Sequence, residues 1–189
     1  MSNGAMMTST LACTTSDRFA AVAPVAGIIT IDDCAADQPV PAVIFHGTDD
    51  QFVAFEGGLG SGALELPTAD GGTIGGGGSV DNDLDGLSVE GFAPDTVPER
   101  AETWAERNGC DPETDTEAVS DSVDLITFRN CPANGAVELY VIDGGGHSWP
   151  GSDFSAAIES VVGPTTTDID ATALMWEFFS EQRRETGDS

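Results

Sequence analysis

Ser2, Asp50 and His147 have the residue types and the chain order that nucleophilic catalysis requires. Ser2-Asn3-Gly4 matches the last three positions of Gly-x-Ser-x-Gly, the turn that presents a serine hydroxyl between a strand and a helix. The first glycine of that pattern would precede Met1, and a serine after a methionine is common, so the turn alone says little. His147 sits in Gly144-Gly145-Gly146-His147-Ser148-Trp149-Pro150, after a strand-like run. Loops on rigid scaffolds often carry function, and the alternative is a surface imidazole in a flexible loop. The acid comes from Phe45-His46-Gly47-Thr48-Asp49-Asp50. His46 precedes the acid at a strand end and reads as a packed or hydrogen-bonded structural histidine. A free N-terminal serine would suit an N-terminal-nucleophile hydrolase, but that class needs a different layered fold and leaves the downstream motifs without a role.

A second cluster suggests metal chemistry. Asp81-Asn82-Asp83-Leu84-Asp85-Gly86 matches the first six positions of an EF-hand calcium loop. The twelfth position is Phe92 where a bidentate Glu is required, so an EF-hand is not supported. Asp81, Asp83 and Asp85 remain candidates for a structural calcium site of another kind, set against an acidic solvated loop. No other cofactor is expected. Cys13, Cys34, Cys110 and Cys131 lack C-x-x-C spacing, and with only His46 and His147 available a structural zinc site is disfavoured. Their even number suits two disulfides, most simply Cys13–Cys34 and Cys110–Cys131, in an oxidising compartment. Four buried thiols are the alternative, and the sequence does not fix the connectivity.

The 189 residues are 40% hydrophobic, enough for one globular domain with a core. Asp and Glu number 33 against 6 Arg and no Lys, a formal net charge of -27. Such a surface repels phosphate backbones and anionic membranes, which argues against nucleic-acid or membrane partners. With this hydrophobic fraction, the charge reads as adaptation to high salt rather than as disorder. No apolar run approaches the length of a bilayer crossing, and no secretion signal opens the chain.

The elements that must position these residues follow from periodicity and punctuation. Asn3 to Thr15 is helix-compatible, Ala20 to Val25 reads as a short buried strand, and Val40 to Phe45 reads as another. Gly57 to Gly91 is rich in Gly and Asp and reads as an insertion or lid, bounded at about 57–95. Thr96 and Glu99 have capping-box spacing, predicting a helix that runs to Asn108 and stops at Gly109. Asp124 to Phe128 and Val137 to Ile142 read as strands. A last helix is expected from an N-cap near Asp168, with Leu174, Met175, Phe178 and Phe179 on its apolar side and Arg183 and Arg184 in its final turn. Alternating strands and helices predict a layered α/β domain with a parallel sheet.

The ordered set SNGAMM, DRFAAVAPVAG, FHGTDD, ERNGC, VELYVIDGGGHSWPG and DIDATALMWEFF resembles the esterase/polyhydroxybutyrate depolymerase family of α/β-hydrolases, which includes feruloyl esterases. The resemblance spans the chain except its Gly- and Asp-rich stretch. It implies an α/β-hydrolase fold, here the C-terminal part of a mostly parallel sheet with flanking helices. It also implies Ser2 as nucleophile, His147 as base, and Asp50 rather than Asp49 as acid. Members often bridge the pair that Cys110 and Cys131 resemble and are usually exported, so an extracellular location is expected.

On this reading His147 takes the Ser2 proton as the hydroxyl attacks an ester carbonyl, Asp50 orients the imidazole, and the Asn3 N–H donates to the oxyanion. Trp149 either contacts an acyl or aromatic group of the substrate or packs in the core. The substrate is a polyester, a feruloyl-polysaccharide or a small acyl ester. The strand and the second oxyanion donor that should precede Ser2 are missing, so the chain reads as one partial domain, residues 1–189, truncated ahead of Met1. On its own it is expected to be nearly inactive, with Ser2 on a frayed terminus unable to hold a strained turn. The alternative function is a non-catalytic hydrolase-like domain that binds calcium or carbohydrate.

Overall fold

The computed structural model describes residues 1–31, 34, 36–67, 71–73 and 95–183. Four strands form one sheet: β1 (Ala42–Gly47), β2 (Thr114–Ser120), β3 (Val123–Phe128) and β4 (Val137–Ile142), in the order β1-β4-β3-β2. β1 and β4 pair in parallel, from Ala42 opposite Val137 to Gly47 opposite Ile142. The β2–β3 and β3–β4 pairs are antiparallel. This corrects the expectation of a mostly parallel α/β-hydrolase sheet. The reason lies in the connections: residues 121–122 join β2 to β3, and residues 129–136 join β3 to β4. Parallel neighbours need a crossover of about a dozen residues or more, so these connections leave only antiparallel pairing.

Helices cover both faces of the sheet. Ala42, Ile44, Val137, Leu139 and Phe128 face α3 (Val97–Asn108), where they meet Val97, Ala101, Trp104 and Ala105. The alternate residues Val43, Phe45, Tyr140, Ile142 and Val123 face the C-terminal helix, meeting Ala171, Met175 and Phe178. This period-two division follows from strand geometry. On the second face, Phe45 stacks on Tyr140 with ring centroids 4.8 Å apart.

α3 is held as its sequence predicts. Thr96 and Glu99 form the reciprocal capping box, and the helix ends at Gly109. Trp104 Nε1–H and Asn108 Nδ2–H both donate to the Val40 carbonyl, while Asn108 Oδ1 accepts from Val40 N–H. A further bond from Asn108 Nδ2 to the Gly135 carbonyl ties α3 to the approach to β4.

α1 (Asn3–Thr14) buries Ala5, Met6, Ser9, Ala12 and Cys13, small side chains apart from Met6. Its hydroxyls at Thr8, Ser9, Thr10 and Thr14 bond back to carbonyls four residues earlier. Residues 20–25, expected as a strand, follow β1 through two isolated parallel bridges, Val22 to Ala42 and Val25 to Phe45.

Short helices α2 (Ser61–Leu64), α4 (Asp153–Ala157) and α5 (Glu159–Val162) precede the C-terminal helix α6 (Ala171–Glu181). The N-cap of α6 is Asp170, not Asp168; Asp168 instead accepts hydrogen bonds from Ser120 and Ser122. The helix ends before Arg183, which donates to the Ser180 and Gln182 carbonyls.

Cys13–Cys34 and Cys110–Cys131 are disulfide-bonded, each across 21 residues of sequence. In the chain-entropy account a loop of that size is worth about 3 kcal/mol. Both bonds are consistent with an oxidising, extracellular setting. No helix among the described residues is long and apolar enough to cross a membrane.

Glu138 on β4 shows what the acidic composition does inside the fold. Burial first, then the nearby Glu181 and Glu177 carboxylates, push its carboxyl above the ordinary Glu value. The folded state therefore holds this proton more tightly than the unfolded state. Stability falls as pH rises through the carboxylate range toward the raised value, and the cost is complete above it. Glu138→Gln should raise the melting temperature at neutral pH. Thermal melts should show the gain narrowing as pH is lowered, and shrinking when salt screens Glu177 and Glu181.

Candidate active site

Three chain segments bring their C-terminal ends to the same place. Val22–Val25 and β4 both run parallel to β1 on either side of it. Ser2 is attached at the end of the first segment, where its N–H donates to the Val25 carbonyl at 2.9 Å. Asp50 follows the end of β1, and His147 follows the end of β4.

The loops after β1 and β4 are joined by backbone. Thr48 N–H donates to the Ile142 carbonyl and Asp49 N–H to the Gly145 carbonyl, each at 2.9 Å. The Thr48 hydroxyl accepts from Gly144 N–H at 2.8 Å. Gly47 makes this approach feasible, since a Cβ there would lie 2.1 Å from the Gly145 carbonyl oxygen.

Asp50 is buried at the junction, with no side-chain exposure. Its Oδ1 accepts the N–H groups of Phe52 and Val53 at 2.8 and 2.9 Å. His147 Nδ1 lies 2.8 Å from Oδ2 and 3.1 Å from Oδ1. An ionised carboxylate only accepts, so this contact calls for the proton on Nδ1, the tautomer in which a neutral ring has its lone pair at Nε2. Among the described residues no hydrogen-bond partner engages that nitrogen. Phe52 packs on the His147 ring with centroids 4.9 Å apart. Asp49, one residue earlier, is exposed.

Ser2 is the N-cap of α1, with φ 54° and ψ -130°. A non-glycine residue in that region is strained, at a cost on the order of 1–3 kcal/mol, and such strain gathers at functional sites. The turn expected to be lost at a frayed terminus is therefore held. Its supports are the Ser2–Val25 bond and the Ser2 carbonyl, which accepts from Ala5 and Met6 to begin α1. Gly27 lies against it: a Cβ there would come within 2.7 Å of the Ser2 carbonyl oxygen and 3.2 Å of Ala5 Cβ. The Ser2 side chain makes no cap bond to the helix. Ser2 is thus brought to the same end as Asp50 and His147, but no hydrogen bond joins its hydroxyl to His147. Asn3 is the first residue of α1, so its N–H has no helical carbonyl to bond and is one of the free donors at the positive end of the helix.

Trp149 packs against the cluster on the α6 side and donates its indole N–H to the Thr172 hydroxyl at 3.1 Å. It anchors the His147 loop to α6. His46 is fully buried, with Nε2 2.9 Å from the Val53 carbonyl, and burial pushes its pKa below the ordinary imidazole value. The packing of Phe52 and the Thr48 side-chain bond were not anticipated; neither residue carries a spacing signal. Asp81, Asp83 and Asp85 lie outside the described residues. Among the described residues no group of three His, Cys, Asp or Glu side chains is placed to hold a metal ion.

Gly27→Ala should force the Ser2 carbonyl or helix α1 to move. The expected loss is about 1–3 kcal/mol in denaturant unfolding, in the range of other overpacking substitutions. Gly4→Ala, at a position with no atom within 4 Å of the added carbon, is the control for helix propensity. No family model matches the chain, and no curated protein matches it.

Proposed function

We propose that the protein is a serine hydrolase of carboxylic esters, with Ser2 as nucleophile, His147 as general base and Asp50 as the orienting acid. The observation that carries this reading is the buried Asp50–His147 couple, which leaves the far nitrogen of the imidazole as its one basic position. The strained backbone at Ser2 adds support, because that is the conformation of a serine exposed on a strand-to-helix turn.

In the proposed reaction Ser2 Oγ attacks the ester carbonyl as His147 Nε2 takes its proton. Asp50 stabilises the imidazolium that forms, which then protonates the leaving alkoxide. Water, activated by the same nitrogen, cleaves the acyl-enzyme. The Asn3 N–H at the start of α1 is the proposed oxyanion donor, in a position where helix polarity favours negative charge. The resemblance of the ordered motifs to esterases and polyhydroxybutyrate depolymerases supports ester over amide substrates. The two disulfides support an extracellular setting.

The test is covalent labelling with a fluorophosphonate, read by peptide mass spectrometry, together with hydrolysis of short-chain acyl esters. The adduct is expected on Ser2 and absent in Ser2→Ala and His147→Ala. Asp50→Asn should slow the labelling of Ser2 by holding the wrong imidazole tautomer. An adduct elsewhere, or hydrolysis unchanged in Ser2→Ala, would overturn the assignment.

A further inference from the structure

His46 is the second imidazole at Asp50, and its surroundings define its protonation. It lies on the face of β1 that carries Ala42 and Ile44, beneath α3, with Phe55 packed edge-on at 6.1 Å. Nε2 is 2.9 Å from the Val53 carbonyl, which can only accept, so that nitrogen carries a proton. Nδ1 is buried with no hydrogen-bond partner. A proton there would be a buried charge without an acceptor, so the ring is neutral and Nδ1 is a bare lone pair. The charged or titratable groups acting on it are Asp50, His147 and, from α3, Arg100.

The same Nε2 lies 3.4 Å from Asp50 Oδ2, a longer second contact for the shared proton. Val53 closes the circuit, since its N–H donates to Asp50 Oδ1. His46, Val53 and Asp50 thus form a ring of contacts from the rigid end of β1 to the acid four residues later. We propose that His46 is a positioning residue: a permanently neutral N–H donor that clamps the Asp50–Val53 loop and holds the carboxylate in register with His147 Nδ1. Neutrality is essential to the role. A charged His46 would compete for Asp50 and weaken its hold on a His147 imidazolium, whereas a neutral donor steadies the carboxylate and leaves its charge in place.

This inference deepens the proposed triad, but its test needs no turnover. The chain has only 2 histidines, so labelling their ring nitrogens gives two spin systems in an NMR titration of the whole protein from pH 5 to 9. One imidazole, absent in His46→Gln and His46→Phe, should remain protonated on Nε2 alone throughout. The other should show a hydrogen-bonded Nδ1–H. That His147 signal should survive in His46→Gln, whose amide N–H can replace the lost donor, and be lost to solvent exchange in His46→Phe. Ile44→Val on the same strand face controls for simple weakening of the core and should leave the signal in place. A His46 that titrates in this range or carries its proton on Nδ1 overturns the proposal, and wild-type protein alone decides that. A sharp His147 Nδ1–H at its wild-type position in folded His46→Phe also overturns it. Absence of ester hydrolysis with these signals intact would refute the proposed function and leave the clamp standing.

Discussion

The Asp50 side chain has no exposure to solvent, and an ionised carboxylate in such a place is tolerated only where hydrogen bonds stand in for water. Those bonds come from two sources that are far apart in sequence. Phe52 and Val53 donate from its own loop, and His147 donates from a loop 97 residues away. The arrangement therefore requires β1 and β4 to be parallel neighbours and their loops to be locked together. The Gly47–Gly145 contact and the Thr48 bonds do that locking, so much of the local backbone geometry exists to keep one charge satisfied. The site lies at the edge of the sheet where, among the described residues, β1 pairs in parallel with β4 and with the Val22–Val25 segment; β2 and β3 lie on the far side of β4.

Ser2 shows a related balance of cost and support. Its backbone is in a region that a residue with a side chain avoids, and the strain is borne by neighbours of ordinary type. One hydrogen bond to Val25 holds the amide, and the first turn of α1 holds the carbonyl. The small residues of α1 and Gly27 allow the approach. The helix that stabilises the turn also leaves the Asn3 N–H unbonded beside it, so strain and free donor have a common origin.

Local rules were readable in the sequence where a single residue carries them. The capping box at Thr96 and Glu99, the end of α3 at Gly109 and the limits of β4 all follow from side-chain chemistry within a few positions. Strand direction was not readable that way. Alternating strands and helices suggested parallel pairing, while the short connections around β3 impose the opposite. β2 escaped notice because Thr114–Ser120 is exposed along nearly its whole length and has no apolar alternation to reveal it. The N-cap of α6 was misplaced by two residues because Asp168 and Asp170 have the same capping chemistry; only the serines near Asp168 separate them. Of the candidate site, the spacing of Phe45–Asp50 and of Gly144–Pro150 pointed to the pair that meets. His46 reads from the sequence as a packed or hydrogen-bonded histidine, and it is buried and bonded; its partner could not be named, because Val53 contributes only its backbone carbonyl.

β2 is the outer strand of the sheet, and among the described residues one of its edges has no strand partner. Its side chains include Asp115, held by Arg129, and Glu117. Two molecules that approach edge to edge must bring these carboxylates together, on surfaces already strongly negative, before any backbone bond can form between them. Like charge thus keeps apart strands that have unused hydrogen-bonding capacity. That protection is electrostatic, and its range shrinks to about 3 Å at molar ionic strength. In brine the edge therefore loses the long reach of its charge and keeps only what its side chains do at contact distance.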